Sequence, residues 1–210
     1  MIEYIIAHSP DDRILEKASS ILKSGGIVCL PTDTNWILIA SPYHKDGIQK
    51  LYKIKKENGS KHFSLFCSDI SMASDVAMID NQAFRMVKKA IPGHYTFIFE
   101  ATKKIAKIIK ATKTDKEIGI RFVPSLLVMK ILEKFEDTVI STNIPLSSLG
   151  INPEDEVFSY MIEDCEIAHM IDMIIDPGEL EFAGASTIVS FLNDIPEVIR
   201  DGAGDASLFT

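Results

Sequence analysis

Between Phe135 and Ile199 the chain carries no lysine and no arginine, against 14 aspartates and glutamates. The basic residues are gathered elsewhere: Lys45 to Lys130 holds 17 Lys and Arg against 8 Asp and Glu, although the whole chain of 210 residues has a net charge of −8. That total argues against avid non-specific nucleic-acid binding by the chain as a whole, while the polarisation leaves room for one electropositive surface. Cysteine is also scarce. Cys29, Cys67 and Cys165 are widely spaced and form no CxxC or CxxH pair, which excludes a disulfide framework or a zinc site and fits a reducing cytoplasm. Cys29 and Cys67 sit in apolar runs, where a thiol acts as a small buried hydrophobe. No apolar run approaches the ~20 residues needed to span a bilayer. Met1 to Ile6 has no basic segment and meets Asp11 and Asp12 too soon for a signal peptide, so it reads as a first strand. No Gly-x-x-x-x-Gly-Lys-[Ser/Thr] and no Gly-x-Gly-x-x-Gly occurs, so a nucleotide would be held without either fingerprint. The histidines, His8, His44, His62, His94 and His169, include no i, i+4 pair, which speaks against a metal site. His94, beside Pro92-Gly93 and near the proposed cavity, is assigned a structural role in preference to general-base catalysis. Asp33 and Asp201 are possible magnesium carboxylates only if they meet, which the sequence does not indicate. There is no internal repeat, low-complexity tract or heptad, and no RRM, KH or helix-turn-helix signature.

What is present is an ordinary globular composition, 46% hydrophobic and 25% charged, which predicts one domain over residues 1–210. The most telling stretch runs from Gly25 to Thr34. Ile27 to Leu30 is a short β-branched apolar run bounded by turn signals, the pattern of an interior strand. Pro31 donates no backbone hydrogen bond, so the ladder stops there and presents Thr32, Asp33 and Thr34 at the strand's carboxyl end, where open α/β sheets bind ligands. The competing reading is that these three only satisfy the turn.

The rest of the chain alternates. Ile14, Leu15, Ala18, Ile21 and Leu22 follow helical spacing, with Asp11 or Asp12 as cap and Gly25 as stop. Further helices are predicted near Asp46–Lys56, Ala83–Ala90, Ser125–Phe135 and Glu154–Met161. Strands are predicted at Asn35–Ala40, Phe63–Cys67, Tyr95–Phe99, Ile118–Val123, Val139–Thr142, Met173–Ile175, Thr187–Phe191 and Glu197–Arg200. Ser147 to Pro153 reads as a mobile surface loop. This order predicts an α/β fold: a single domain with a twisted, open, mixed sheet flanked by helices.

The longer motif Gly-Gly-Ile-Val-x-x-Pro-Thr-Asp-Thr followed by Trp36 resembles the entry motif of the YciO/YrdC family, the threonylcarbamoyl-AMP synthases and their relatives. Four later segments are similar in the same order: Pro92 to Phe99, Ile118 to Pro124, Val139 to Thr142, and Ser186 to Val189 with Arg200-Asp201-Gly202. The resemblance covers nearly the whole chain and implies a YrdC-like twisted sheet with a basic concave face. It also implies a reaction joining threonine, bicarbonate and ATP into threonylcarbamoyl-AMP and pyrophosphate, with Mg2+ beside the triphosphate and no tightly bound cofactor. Such a site needs cations and hydroxyls more than covalent chemistry. On that basis Thr32, Asp33, Thr34, Thr96, Ser141, Thr142, Asn143, Ser186 and Thr187 are the candidate polar ligands of threonine or nucleotide. Arg121, Arg200 and Lys55 are the candidate anion partners.

Two departures from the synthase pattern matter. Lys55-Lys56-Glu57 stands where Lys-x-Arg is expected, and a carboxylate repels phosphate and lacks the guanidinium fork. Asn143-Ile144-Pro145 stands where Ser-x-Asn is expected, and Cys67 falls where many synthases carry histidine. These losses, with the wording of Phe84-Arg85-Met86 and Pro92 to Phe97, resemble the YciO branch, whose members are described as translation factors or RNA-binding proteins. The expectation is therefore a cytoplasmic YciO-type protein that binds nucleotide or double-stranded RNA, with Lys50, Lys53, Lys56 and Lys61 as a phosphate-facing surface and a second run at Lys103, Lys104, Lys107, Lys110, Lys113 and Lys116. Solvated lysines on two helices are the plainer reading of those clusters. The alternatives are a working threonylcarbamoyl-AMP synthase acting in tRNA modification, which would make it a nucleotidyltransferase, or an enzyme acting on that adenylate or a related one, and a module whose acidic carboxyl-terminal section docks a basic protein surface. No membrane role is expected.

Overall fold

Ten strands among the described residues hydrogen-bond into one mixed sheet, and the alternation of their side chains sets the character of its two faces. The computed structural model describes residues 1–55, 63–106, 116–149, 162 and 165–210. The strands are β1 (Ile2–Tyr4), β2 (Ile27–Pro31), β3 (Trp36–Ala40), β4 (Ser64–Phe66), β5 (Tyr95–Glu100), β6 (Glu117–Arg121), β7 (Val139–Asn143), β8 (Met173–Asp176), β9 (Thr187–Ser190) and β10 (Glu197–Arg200). Their spatial order is β1-β8-β2-β3-β7-β4-β6-β5-β9-β10, with β1/β8, β2/β8, β4/β6 and β5/β9 parallel and the other neighbours antiparallel. The helices are α1 (Asp12–Lys23), α2 (Lys45–Lys55), α3 (Ile70–Val76), α4 (Asn81–Ala90), α5 (Lys103–Ala106) and α6 (Leu126–Phe135).

Local chemistry sets the boundaries. The Asp11 carboxylate accepts from Arg13 N to cap α1, and Gly25 at φ +82° leaves the helix in the left-handed region, where glycine carries no Cβ penalty. Asp80 and Ser125 cap α4 and α6 in the same way as Asp11. Helix α3 was not foreseen, because it is only 7 residues long; its signals are the Asp69 cap, which accepts from Met72 N, and the i, i+3, i+6 spacing of Ile70, Ala73 and Val76. The segment read as a loose loop begins as a short 3-10 turn, Leu146–Leu149, and Glu166 N donates to Ser148 O at 2.9 Å. The rest of that segment and the helix expected at Glu154–Met161 lie outside the described residues.

One face of the sheet is mostly apolar. Ile27, Ala40, Ile140, Leu65, Ile120, Phe97 and Val189 form a row across it, buried under Leu51 and Ile54 of α2, Ala73 and Val76 of α3, and Ala83 and Val87 of α4. The other face changes character partway across. At the β2–β3 side, Val28, Leu30, Ile37 and Ile39 pack beneath α1 and α6 through Ile14, Leu15, Leu22, Leu127, Val128 and Ile131. Further along the same row come Ser141, Ser64 and Gly119, and beside them Thr96 and Arg121. No helix among the described residues packs over that second half; Ser64, Thr96, Ile98 and Gly119 are half-buried.

Candidate functional site

The polar corner at the end of β2 turns onto this uncovered half-face. Pro31 pairs with Trp36 as the last rung of the β2/β3 ladder, and Thr32 closes the turn: its hydroxyl donates to Asn35 O at 2.9 Å and accepts from Thr34 N and Asn35 N. Thr32, 6% exposed, therefore builds the turn, while the two residues after it are delivered to the site. Ala183 N donates to Asp33 O at 2.8 Å and ties a later loop to the corner.

Asp33 and Arg121 form the centre. Arg121 Nη2 donates to Asp33 Oδ1 at 2.9 Å and Oδ2 at 3.1 Å, and Nη1 donates to Thr34 Oγ1 at 3.1 Å. Both side chains are buried, at 6% and 4% exposure, and the guanidinium carbon lies 5.5 Å from the centre of the Phe66 ring. Burial pulls the Arg121 pKa below its usual value, Asp33 opposes that, and the charge of nearby Arg200 adds to the depression. Arg121 Nε is fully buried and has no hydrogen-bond partner among the described residues. An orphaned buried donor costs about 1–3 kcal/mol, so an acceptor supplied from outside the chain would relieve it.

Around this pair the hydroxyls gather. Thr96 Oγ1 and Ser186 Oγ are 2.8 Å apart, and Ser141 Oγ donates to Ser64 O at 3.0 Å. Arg200 reaches over Ser186, whose carbonyl accepts from Nε at 3.0 Å and Nη2 at 2.6 Å. Asn143, exposed at the end of β7, shares the face of Ser141.

Two expected site residues point elsewhere. Successive residues of a strand face opposite sides, so each Ser-Thr pair gives the open face only its serine. Thr142 stands opposite Leu38, and Thr187 opposite Tyr95, on the apolar side. The Thr187 hydroxyl donates to Gly204 O at 2.6 Å and accepts from Gly202 N and Gly204 N at 3.0 Å each. Its donor and both lone pairs are thus used. Thr187→Val is expected to lower stability by about 1–3 kcal/mol, since it strands buried backbone groups; urea denaturation checks it.

The lysine surface is only partly visible. Lys50 pairs with Asp172 at 3.2 Å, whose other contact is Ile27 N, at the opposite end of β2 from the Thr32–Thr34 corner. Lys53 is exposed on α2, which packs on the apolar face of the sheet. Lys56, Glu57 and Lys61 lie outside the described residues, as do Lys107, Lys110, Lys113 and the side chain of Lys55. Burial pushes the Cys67 thiol up to about 12 and raises Cys29 as well, so both stay protonated at neutral pH and are poor nucleophiles.

Sequence reasoning missed two contributors. Ser64 is the polar residue between Phe63 and Leu65, and its alternation within the strand was the available signal. Gly119 forms the floor: a Cβ there would meet Ser64 Oγ at 3.1 Å and Thr96 Cγ2 at 3.3 Å. His94, expected beside the cavity, stands with Nδ1 2.7 Å from Asp33 Oδ2. The described residues do not offer Mg2+ a carboxylate site. Both Asp33 oxygens are engaged, Asp201 accepts from Gly202 N, and among the described residues no group of three or more His, Cys, Asp or Glu could hold a metal ion.

An α/β sheet with this entry corner, buried ion pair and hydroxyl-lined half-face defines a family. The Sua5/YciO/YrdC family model, described as "Telomere recombination", matches residues 20–202, and the chain belongs to that family. It is 30% identical to YciO of Escherichia coli over 206 residues, covering 98% of this chain and 97% of that protein; the crystal structure of E. coli YciO superposes with a TM-score of 0.84 at 28% identity, over 100% of this chain and 99% of that one. A threonylcarbamoyl-AMP synthase of Psychromonas ingrahamii is 28% identical over 138 residues, 64% of this chain and 71% of that protein. P. abyssi Sua5 complexed with L-threonine shares the fold, with a TM-score of 0.80 at 19% identity, over 96% of this chain and 57% of that one. Among the described residues no helix is long and apolar enough to cross a membrane.

Proposed function

We propose that the chain is a YciO-type nucleotide-binding protein whose ligand, an adenylate or ATP, lies on the uncovered half-face of the sheet. The observation that carries this reading is the buried Arg121 with its unpartnered Nε, set among the hydroxyls of Thr34, Thr96, Ser141 and Ser186. These groups suit an anionic, hydroxyl-bearing ligand held by positioning and charge. Relatives whose names contain threonylcarbamoyl-AMP, itself an adenylate, support the ligand class. Mg2+ in this reading comes with the triphosphate and is not ligated by the described carboxylates. The lysine-rich section from Lys45 to Lys130 supports an RNA-binding extension, whose affinity is expected to fall linearly in log–log form with salt.

The second reading is threonylcarbamoyl-AMP synthesis, favoured by the threonine-bound state of the P. abyssi Sua5 structure. Against it stands Pro145 in place of the expected asparagine amide, and its carbonyl begins the 3-10 turn by accepting from Ser148 N. Equilibrium dialysis with ATP, run beside pyrophosphate release from ATP, threonine and bicarbonate with each omitted in turn, separates the two. ATP binding without threonine- and bicarbonate-dependent pyrophosphate is the expected result. Pyrophosphate that needs both makes the protein a synthase, and failure to bind any nucleotide overturns both readings.

A further inference from the structure

The far side of β10 carries an exposed apolar border: Ile195 is 78% exposed, Ile199 53%, Leu208 45% and Phe84 42%. Single exposed apolar side chains are ordinary on a protein surface, but these four lie on adjoining elements. The last turn of the chain, Ala206–Phe209, packs against both α4 and β10. Gln82 Nε2 donates to Asp194 O at 3.5 Å and draws the turn between β9 and β10 to the start of α4. β10 ends the sheet order, so no strand among the described residues pairs with its far side.

The charges on this strand follow a pattern. Glu197 stands opposite Ser190 and Arg200 opposite Ile188, with a bulge between Val198 and Arg200. Ser190 and Ile188 are two residues apart on β9 and share a face; Ile188 pairs with Thr96, which marks it as the open face. The bulge therefore puts Glu197 and Arg200 on one face, where residues three apart on a regular strand would point to opposite sides. Neither has a counter-ion among the described residues. The Glu197 carboxylate makes no ion pair or hydrogen bond there, and Arg200 spends Nε and Nη2 on the carbonyl and hydroxyl of Ser186. Burial pulls the Arg200 pKa down, and no carboxylate offsets it.

We propose that this edge is the contact surface for a second copy of the chain, the two β10 strands meeting antiparallel about a two-fold axis that passes between Val198 and Ile199. The axis runs perpendicular to the sheet, so the two open faces stay on one side. Across it positions 197 and 200 exchange places, and Glu197 of each copy meets Arg200 of the other. The apolar border lies beside these pairs and loses water on contact. Pro196, which has no N–H, and the bulge keep the edge from templating a long ladder, so side chains carry the contact and the assembly closes at two. The opposite edge of the sheet, β1, also exposes Met1, Tyr4 and Ile6. There, however, Glu3 is already paired with Lys17 at 2.6 Å, which leaves no self-complementary charge pattern. Nothing in the β10 contact depends on a bound nucleotide.

Sedimentation velocity of the full chain over a concentration series tests this contact. The wild type should pass reversibly from monomer to dimer, with the dimer weakened by salt. Glu197→Arg sets like positive charges against each other in both halves of the interface, and Arg200→Glu sets like negative charges there. Each should raise the dissociation constant about tenfold or more. The two variants mixed in equal amounts should dimerise again, because every arginine at the contact then faces a glutamate. Ile195→Asp, at a position mostly in water, should weaken the dimer as well. With Glu197→Arg it decides the matter if circular dichroism shows that Arg200→Glu loses structure along with its Ser186 bonds. A wild type that stays monomeric up to about 1 mM, or Glu197→Arg and Ile195→Asp variants that associate as well as the wild type, overturns the proposal. So does a mixture of folded variants that associates no better than its components. Association that runs on beyond the dimer overturns the two-fold contact and points to β10 meeting β1 of the next copy.

Discussion

Replacing Asp33 by alanine is expected to lower the unfolding free energy by about 3–5 kcal/mol, the usual penalty for breaking one partner out of a buried ion pair. Asp33 and Arg121 are 4% and 6% exposed, so water cannot solvate the guanidinium left behind. Nη2 would lose both of its acceptors, while Nε is already without one. The cost is the desolvation of an uncompensated charge more than the loss of attraction. For that reason the double change Asp33→Ala with Arg121→Met should recover much of it. Urea denaturation of the two single variants and the double variant forms the cycle. If Asp33→Ala lies within about 1 kcal/mol of the wild type, the range of an exposed pair, the corner does not depend on this pair.

Phe97→Ala is expected to cost a similar amount, about 3–5 kcal/mol, by leaving a cavity where a large buried ring had been. Phe97 is fully buried in the middle of β5, and its ring centre lies 5.6 Å from Tyr95, 6.3 Å from Phe122, 6.0 Å from Phe191 and 5.8 Å from Phe209. Those partners come from β5, the exit of β6, the exit of β9 and the last turn of the chain, Ala206–Phe209. The variant should therefore loosen the carboxyl-terminal segment as well as lower the denaturation midpoint. Hydrogen exchange at Gly202 and Gly204, both bonded to the Thr187 hydroxyl, should speed up with it. Exchange that stays slow there would show that the tail is held independently of the aromatic cluster.

The strand and helix order was legible because apolar periodicity and the Asp, Ser, Gly and Pro punctuation agree along most of the chain. Asp11, Gly25 and Ser125 act where their chemistry says they should. The site was half legible. The Pro-Thr-Asp-Thr corner and Arg121 do meet, but neither periodicity nor motif wording says that Asp33 would be shared between Arg121 and His94, since residues 33, 94 and 121 are brought together only by the sheet order. The parity of Ser141-Thr142 and Ser186-Thr187 was available from the period of a strand, yet which member faces the ligand depends on register. Lys50 read as a phosphate contact because its charge was visible and its partner was not: Asp172, which pairs with it, is 122 residues away.

Gly119 gives the floor of the open face a different kind of surface from the groups around it. With no side chain between Ser64 and Thr96, a molecule resting there meets the peptide plane itself, whose shape is set by the β4 and β5 ladders on either side. A ligand at the proposed site would be read there by main-chain geometry. A methyl group on residue 119 would make the floor shallower, pressing on Ser64 and Thr96.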